Sequence, residues 1–216
     1  MSSELKKRII TSIILITILI LMYFYSYILV ISLIIIALIS WVEFYGLITK
    51  IFLKKKILRF IFKFISLMYL SLLVVTILYT ISNNPDLKIL FVYSILVAIF
   101  SDIGGLIFGK FFKGKKLTKI SPKKTISGSV GSFIFSFLLI PFFYDLLVEH
   151  EILKLFLITA LISIATQLGD LFISLIKRKA KVKNTSDLLP GHGGILDRVD
   201  GIIFAIPIGY LLLNYF

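Results

Sequence analysis

The chain of 216 residues contains no cysteine, which excludes disulfide frameworks, thiolate metal sites and a cysteine nucleophile. Charge is scarce, at 16% of residues. Acid is scarcer still: 11 Asp and Glu stand against 24 Lys and Arg, for a formal net charge of +13. Long polar stretches are missing too. The longest segment without a sustained apolar run is about residues 109–128. That is too short for a separate domain outside a bilayer, so the chemistry is expected at or in the membrane. What abounds is apolar. Hydrophobic residues make up 59% and mean hydropathy is +1.05, against about 45–50% apolar residues in soluble domains. An ordinary soluble globule is excluded. The basic excess, which would suggest nucleic acid in a soluble protein, is read here against a membrane, with no nucleic-acid partner.

A helix needs roughly 20 apolar residues to cross the hydrocarbon core. Seven segments are candidates: 9–27, 28–48, 64–82, 89–108, 130–147, 152–176 and 201–216. Continuous apolar runs of this length favour helices over strands, and only helices or closed barrels satisfy their backbone in lipid. The expected fold is therefore all-α, a polytopic membrane helical bundle of about seven spans. The first run follows Lys6, Lys7 and Arg8 like a signal peptide, but it lacks a small-residue cleavage site and reads as a retained span. All basic residues except Lys88 and Lys154 fall in four groups: before span one, and between spans two and three, four and five, and six and seven. These groups share one side, which the positive-inside rule assigns to the cytoplasm together with the N-terminus.

Most basic clusters only orient spans and touch anionic lipid, and residues 50–63 read that way. Residues 109–128 differ. Seven lysines are mixed there with Gly109, Gly114, Ser121, Pro122, Thr125, Ser127 and Gly128. Backbone N–H groups, hydroxyls and ammonium groups together suit a polyphosphate; a plain basic loop is the alternative. Residues 104–110 resemble a P-loop only superficially, because Phe111 stands where Ser or Thr would hold the metal and no strand precedes. Gly105 and Gly109 also fit a close helix-packing pair.

Asp102 and Asp170 lie near the cytoplasmic ends of apolar spans, and Asp197 and Asp200 where the last span begins. A mid-span charge costs about 2.5–3.5 kcal/mol on insertion scales, so these acids are expected to face the bundle interior. Asp197 and Asp200, three apart, would share a helix face, where Mg²⁺ would relieve their repulsion and bind substrate phosphates; Asp170 could complete the site. The alternative is a salt-bridge network with Arg198, Lys177 or Arg178. Glu43, beside Trp41, reads as an interface residue, and His150 as part of a solvated loop. His192 stands among Gly191, Gly193 and Gly194, glycines that allow close backbone approach to a ligand.

At these residues the sequence resembles the phosphatidate cytidylyltransferase, or CDP-diacylglycerol synthase, family. The C-terminal signature reads Ser174, Lys177-Arg178, Pro190-Gly191-His192-Gly193-Gly194 and Asp197-Arg198-Val199-Asp200. A second element is Ser121-Pro122-Lys123-Lys124-Thr125, and Gly169-Asp170 and Ser101-Asp102 also match. The resemblance covers about residues 100–203. Departures are Asn184 where the family usually has Asp, and Ile126-Ser127 where it often has an aromatic and a Glu. Residues 1–100 then form an N-terminal transmembrane region and 101–216 a catalytic transmembrane region with the motif-bearing cytoplasmic loops.

The resemblance implies transfer of a cytidylyl group from CTP to phosphatidate, giving CDP-diacylglycerol and pyrophosphate at the cytoplasmic face of the cell membrane. The phosphomonoester nucleophile, with a second pKa near ~6, needs no general base. Asp170, Asp197 and Asp200 are expected to bind Mg²⁺, with Lys177 also catalytic. Ser121, Lys123, Lys124, Thr125, Ser174, Arg178, His192, Gly193, Gly194 and Arg198 are expected to bind substrate. A homodimer is compatible with this reading. Rival readings are a CTP-dependent enzyme on another lipid (polyprenol kinase or CDP-archaeol synthase type), an ion-coupled secondary transporter, and a membrane scaffold, which leaves Pro190–Asp200 unexplained.

Overall fold

The computed structural model describes residues 3–118, 121–122, 124–147 and 151–215. Lys119, Lys123, Glu149 and His150 lie outside the described residues. The described chain is helical: α1 (Ser3–Phe24), α2 (Ser26–Ile51), α3 (Lys56–Asn83), α4 (Lys88–Phe112), α5 (Ile126–Phe137), α6 (Ile140–Leu147), α7 (Ile152–Lys179), α8 (Leu196–Val199) and α9 (Ile202–Tyr215). A short 3-10 turn, Pro85–Leu87, leads into α4.

Four stretches among the described residues are long and apolar enough to cross a bilayer: Ser26–Ile51, Lys56–Asn83, Pro85–Phe112 and Ile152–Lys179. A fifth arises if α5 and α6, bent by 51°, count as one span. Pro141 explains that break. It offers no N–H, and its ring clashes with the carbonyl four residues back, which belongs to Phe137, the last residue of α5. The expected seven are not reached by length and composition. The apolar part of α1 is Ile9–Phe24, and α9 has 14 residues, about 21 Å of helix against a core of about 30 Å. Large apolar side chains stay exposed along the helices, including Ile13, Ile16, Leu72, Leu106 and Leu153. Such a surface belongs against lipid, and the chain is a multi-pass membrane protein.

The chain forms two compact units. One comprises Met1–Tyr79 and Ile176–Val199, the other Thr80–Leu175 and Asp200–Phe216. In the first, α1 packs on α2, and α2 on α8, with Leu47 and Ile48 buried. Lys63 lies over the Tyr45 ring, 3.0 Å from its centroid.

In the second unit α4, α5, α6, α7 and α9 surround a core of Tyr93, Val97, Leu139, Leu155, Ile162 and Ala205. The α4–α5 contact is glycine-made. A Cβ on Gly104 would fall 2.3 Å from the Gly131 carbonyl oxygen, and one on Gly128 would fall 2.9 Å from that of Gly105. Gly105 and Gly109 thus serve close helix packing. Hydroxyls tie α4 and α5 to each other and to α7. Ser132 donates to the Ser101 carbonyl (2.8 Å), Ser101 and Ser163 share a bond (3.0 Å), Gln167 reaches Ser163 (3.3 Å), and Ser129 donates to Gln167 (2.5 Å).

Candidate active site

In the second unit, the basic segment after α4 is a built hairpin. Leu117 N donates to the Lys124 carbonyl (2.8 Å) and Ile126 N to that of Lys115 (2.9 Å). Lys124 N closes a turn onto the Ser121 carbonyl (3.0 Å). Thr125, in extended conformation, caps α5 by accepting from Gly128 N at 3.0 Å. A hydroxyl acceptor there satisfies one of the orphan donors of the first turn. This geometry carries Lys124 to Asp170, and the two form an ion pair. Ser174, one turn along α7, donates to the other Asp170 oxygen at 3.3 Å. The backbone around Asp170 lies close to that of Asp200. A Cβ on Gly169 would come within 2.7 Å of the Asp200 carbonyl oxygen, and one on Gly201 within 2.6 Å of the Thr166 methyl. Asp200 is buried, and its Oδ1 accepts from Gly201 N (3.0 Å).

In the first unit, the signature loop follows the end of α7, where Lys181 takes a left-handed φ of 57°. Gly191 and Gly193 have φ of 77° and 83°, a region side chains resist. They close a tight turn in which His192 N and Gly193 N both donate to the Leu189 carbonyl (2.9 and 3.1 Å). Arg198 clamps this turn by donating twice to the His192 carbonyl, at 3.1 and 2.7 Å. The His192 ring hydrogen-bonds through Nδ1 to the Thr11 hydroxyl of α1, with Ser12 Oγ 3.4 Å from Nε2.

Asp197 is the hub. Lys177 donates to its Oδ1 at 2.6 Å; Thr185 N (2.8 Å) and Gly194 N (3.0 Å) donate to Oδ2, and the Thr185 hydroxyl, whose one hydrogen is shared with Glu43, lies 3.0 Å from Oδ2. Its side chain is only 6% exposed. Burial pushes the carboxyl toward the neutral form. The Lys177 ammonium and the two backbone N–H groups outweigh that and hold its pKa below the ordinary 3.8. Asp197 is therefore an anion at neutral pH.

The cytidylyltransferase family model matches residues 2–216. The chain belongs to the cytidylyltransferase family. Among curated relatives it is 44% identical over 126 residues to a phosphatidate cytidylyltransferase of Staphylococcus haemolyticus (strain JCSC1435), covering 56% of this chain and 47% of that one. It is 37% identical over 146 residues to one of Rickettsia bellii (strain RML369-C), covering 64% and 63%. It is 39% identical over 140 residues to one of Bacillus subtilis (strain 168), covering 63% and 52%. The chain thus spans about half to under two thirds of the length of these curated relatives.

For a cytidylyltransferase-family chain, the expected site residues gather in two groups. Lys124, Asp170 and Ser174 meet in the second unit; Lys177, Asp197, Gly193, Gly194, His192 and Arg198 meet in the first. Arg178 is exposed, Ser121 and Thr125 shape the hairpin, and Lys123 lies outside the described residues. Asn184, the departure from the family pattern, lies near Gly193, whose added Cβ would meet it at 3.3 Å. Asp102, expected to face inward, is exposed on α4. Among the described residues no group of three or more His, Asp or Glu side chains could hold a metal ion.

Sequence reasoning missed Glu43. It is 7% exposed, and its carboxylate accepts four hydrogen bonds from the signature loop, from Thr185, Ser186, Ile195 and Leu196. It is not an interface residue. The available signal was its position as the one acid in the 26-residue apolar helix α2.

Proposed function

We propose that this chain transfers the cytidylyl group of CTP to phosphatidate, giving CDP-diacylglycerol and pyrophosphate at the cytoplasmic face of the cell membrane. The observation that carries the reading is the pairing of lysines with motif carboxylates in a chain otherwise poor in charge, Lys124 with Asp170 and Lys177 with Asp197. An ammonium held beside a carboxylate is a fixed positive group at which phosphate oxygens can bind.

A phosphate oxygen of phosphatidate attacks the α-phosphorus of CTP. A new P–O bond forms, the bond to the bridging oxygen of the β-phosphate breaks, and pyrophosphate leaves with the electron pair. The nucleophile is largely ionised near neutrality, so the chain needs only to position two anions and neutralise their charge. Lys177 and Lys124 neutralise phosphate oxygens. Arg198 holds the carbonyl side of the His192 turn, and Thr11 holds its ring. Gly193 and Gly194 keep the backbone near Asp197 free of side chains.

Magnesium suits the oxygen donors. It commonly takes one or two carboxylates and completes its shell with substrate phosphates and water, rather than using an all-protein cage. The close backbone packing of the Asp170 and Asp200 segments fits that pattern without a cluster of three acids. Asp170 and Asp200, both in the second unit, would hold it, and bound there it would supply further neutralisation of the triphosphate.

Purified protein in mixed micelles is expected to convert phosphatidate to CDP-diacylglycerol only with CTP and a divalent cation, and Asp200→Asn to abolish turnover in a folded protein. Turnover of another lipid in place of phosphatidate, or none in intact wild type, overturns the reading.

A further inference from the structure

Glu43 places a carboxylate inside an apolar helix, where a charge is costly, and the structure compensates it in full. Each oxygen accepts two hydrogen bonds. Oε1 takes Ser186 Oγ (2.6 Å) and Ile195 N (3.0 Å); Oε2 takes Thr185 Oγ1 (2.7 Å) and Leu196 N (2.9 Å). All four donors come from the signature loop. Two are backbone N–H groups at the start of α8, the turn that carries Asp197 and Arg198. Such N–H groups have no partner within the helix and demand an acceptor; Glu43 supplies it from α2.

The same turn divides its donors between two acids. Gly194 N and Thr185 N go to Asp197, the next two N–H groups go to Glu43, and the Thr185 hydroxyl touches both carboxylates, at 2.7 and 3.0 Å. Gly194 is held in the middle. A Cβ there would sit 2.0 Å from Thr185 Oγ1 and 2.4 and 2.6 Å from the Glu43 oxygens. The glycine is needed so that the backbone can press onto the acid.

We infer that Glu43 is a positioning residue. By accepting from the Ile195 and Leu196 N–H groups it fixes where Asp197, and through it the Lys177 ammonium, stands. The anchoring rests on the hydrogen bonds alone; its consequence for turnover rests on the function proposed above. Glutamine would exchange one acceptor oxygen for a donor facing two donors. Loss of a residue that orients a functional group typically costs roughly 10–100-fold in affinity or activity.

The test compares wild type with Glu43→Gln and with Ser186→Ala, which removes one donor and leaves the acid in place. Hydrogen–deuterium exchange over residues 185–197 is read beside kcat and KM per folded molecule. In Glu43→Gln the Ile195 and Leu196 amides are expected to exchange at least ~10-fold faster, with kcat lower by roughly 10–100-fold and KM for CTP nearly unchanged. Ser186→Ala should shift both in the same direction by less, and it decides the matter if Glu43→Gln does not fold. Unchanged exchange in the folded variants overturns the anchoring. Faster exchange with unchanged kcat reduces Glu43 to a structural support and overturns the positioning role. Wild-type protein without turnover would defeat the proposed function instead, while the exchange measurement still judges the anchor.

Discussion

The loop of the first unit and the helix crossing of the second treat polar groups in opposite ways. In the first, the loop after α7 is gathered onto two carboxylates, Glu43 and Asp197, which together accept four backbone N–H groups. In the second, α4, α5 and α7 are joined by neutral groups, the hydroxyls of Ser101, Ser129, Ser132 and Ser163 and the amide of Gln167. The difference follows from what is held. A loop has spare N–H groups, and hydrogen bonds to an ionised acceptor are roughly twice as strong as neutral ones. A helix has spent its N–H groups on itself and needs only a bridge, for which an ion in hydrocarbon would cost too much. In the first unit the two buried acids mark loose backbone that has to be held still.

The largest expected effect comes from removing the hub of the first unit. Asp197→Ala strands a Lys177 ammonium that is only 13% exposed. Breaking a buried pair from one side costs about 3–5 kcal/mol, and thermal unfolding in detergent should show it. Loss of under 1 kcal/mol would mean that the loop is held without its charge. Acid sharpens the same point. Because the folded pKa of Asp197 lies below 3.8, its contribution is complete above that pH and disappears as pH falls below it through the depressed value. The melting difference between wild type and Asp197→Asn should therefore persist from pH 7 to about pH 4 and shrink only below. Shrinkage near pH 6 would implicate another group.

Gly194→Ala should follow at about 1–3 kcal/mol, the cost of forcing an added methyl into a packed site, visible as a lower melting temperature and faster loop exchange. The smallest effect is expected in the second unit. Ser101→Ala removes one neutral bridge, and hydrogen bonds between membrane helices average about 0.6 kcal/mol. A loss of several kcal/mol there would erase the contrast between the units.

Much of this was legible in the chain. Helices α2, α3, α4 and α7 follow from unbroken apolar runs, and the signature residues 190–200 stand next to one another in sequence. The number of crossings was not legible, because Pro141 cuts one run in two and the outermost runs are short. Nor were the partners of Glu43, which lie 142 to 153 residues away. Periodicity shows a lone acid on an apolar helix, but only tertiary folding shows which N–H groups it meets. Lys124 was picked out for phosphate, whereas its observed partner is Asp170, another residue of the same motif set.

Thr125 joins two things that could otherwise vary separately. Its hydroxyl closes the basic hairpin onto α5, and it lies 3.2 Å from where a Cβ would stand on Gly109 of α4 and on Gly128 of α5. The base of the hairpin and the helix crossing thus share one atom as a common wedge. A larger side chain at position 109 or 128 would meet that hydroxyl and push the two helices apart. The point where the hairpin begins and the spacing of the two helices beneath it are therefore set together, and neither can shift alone.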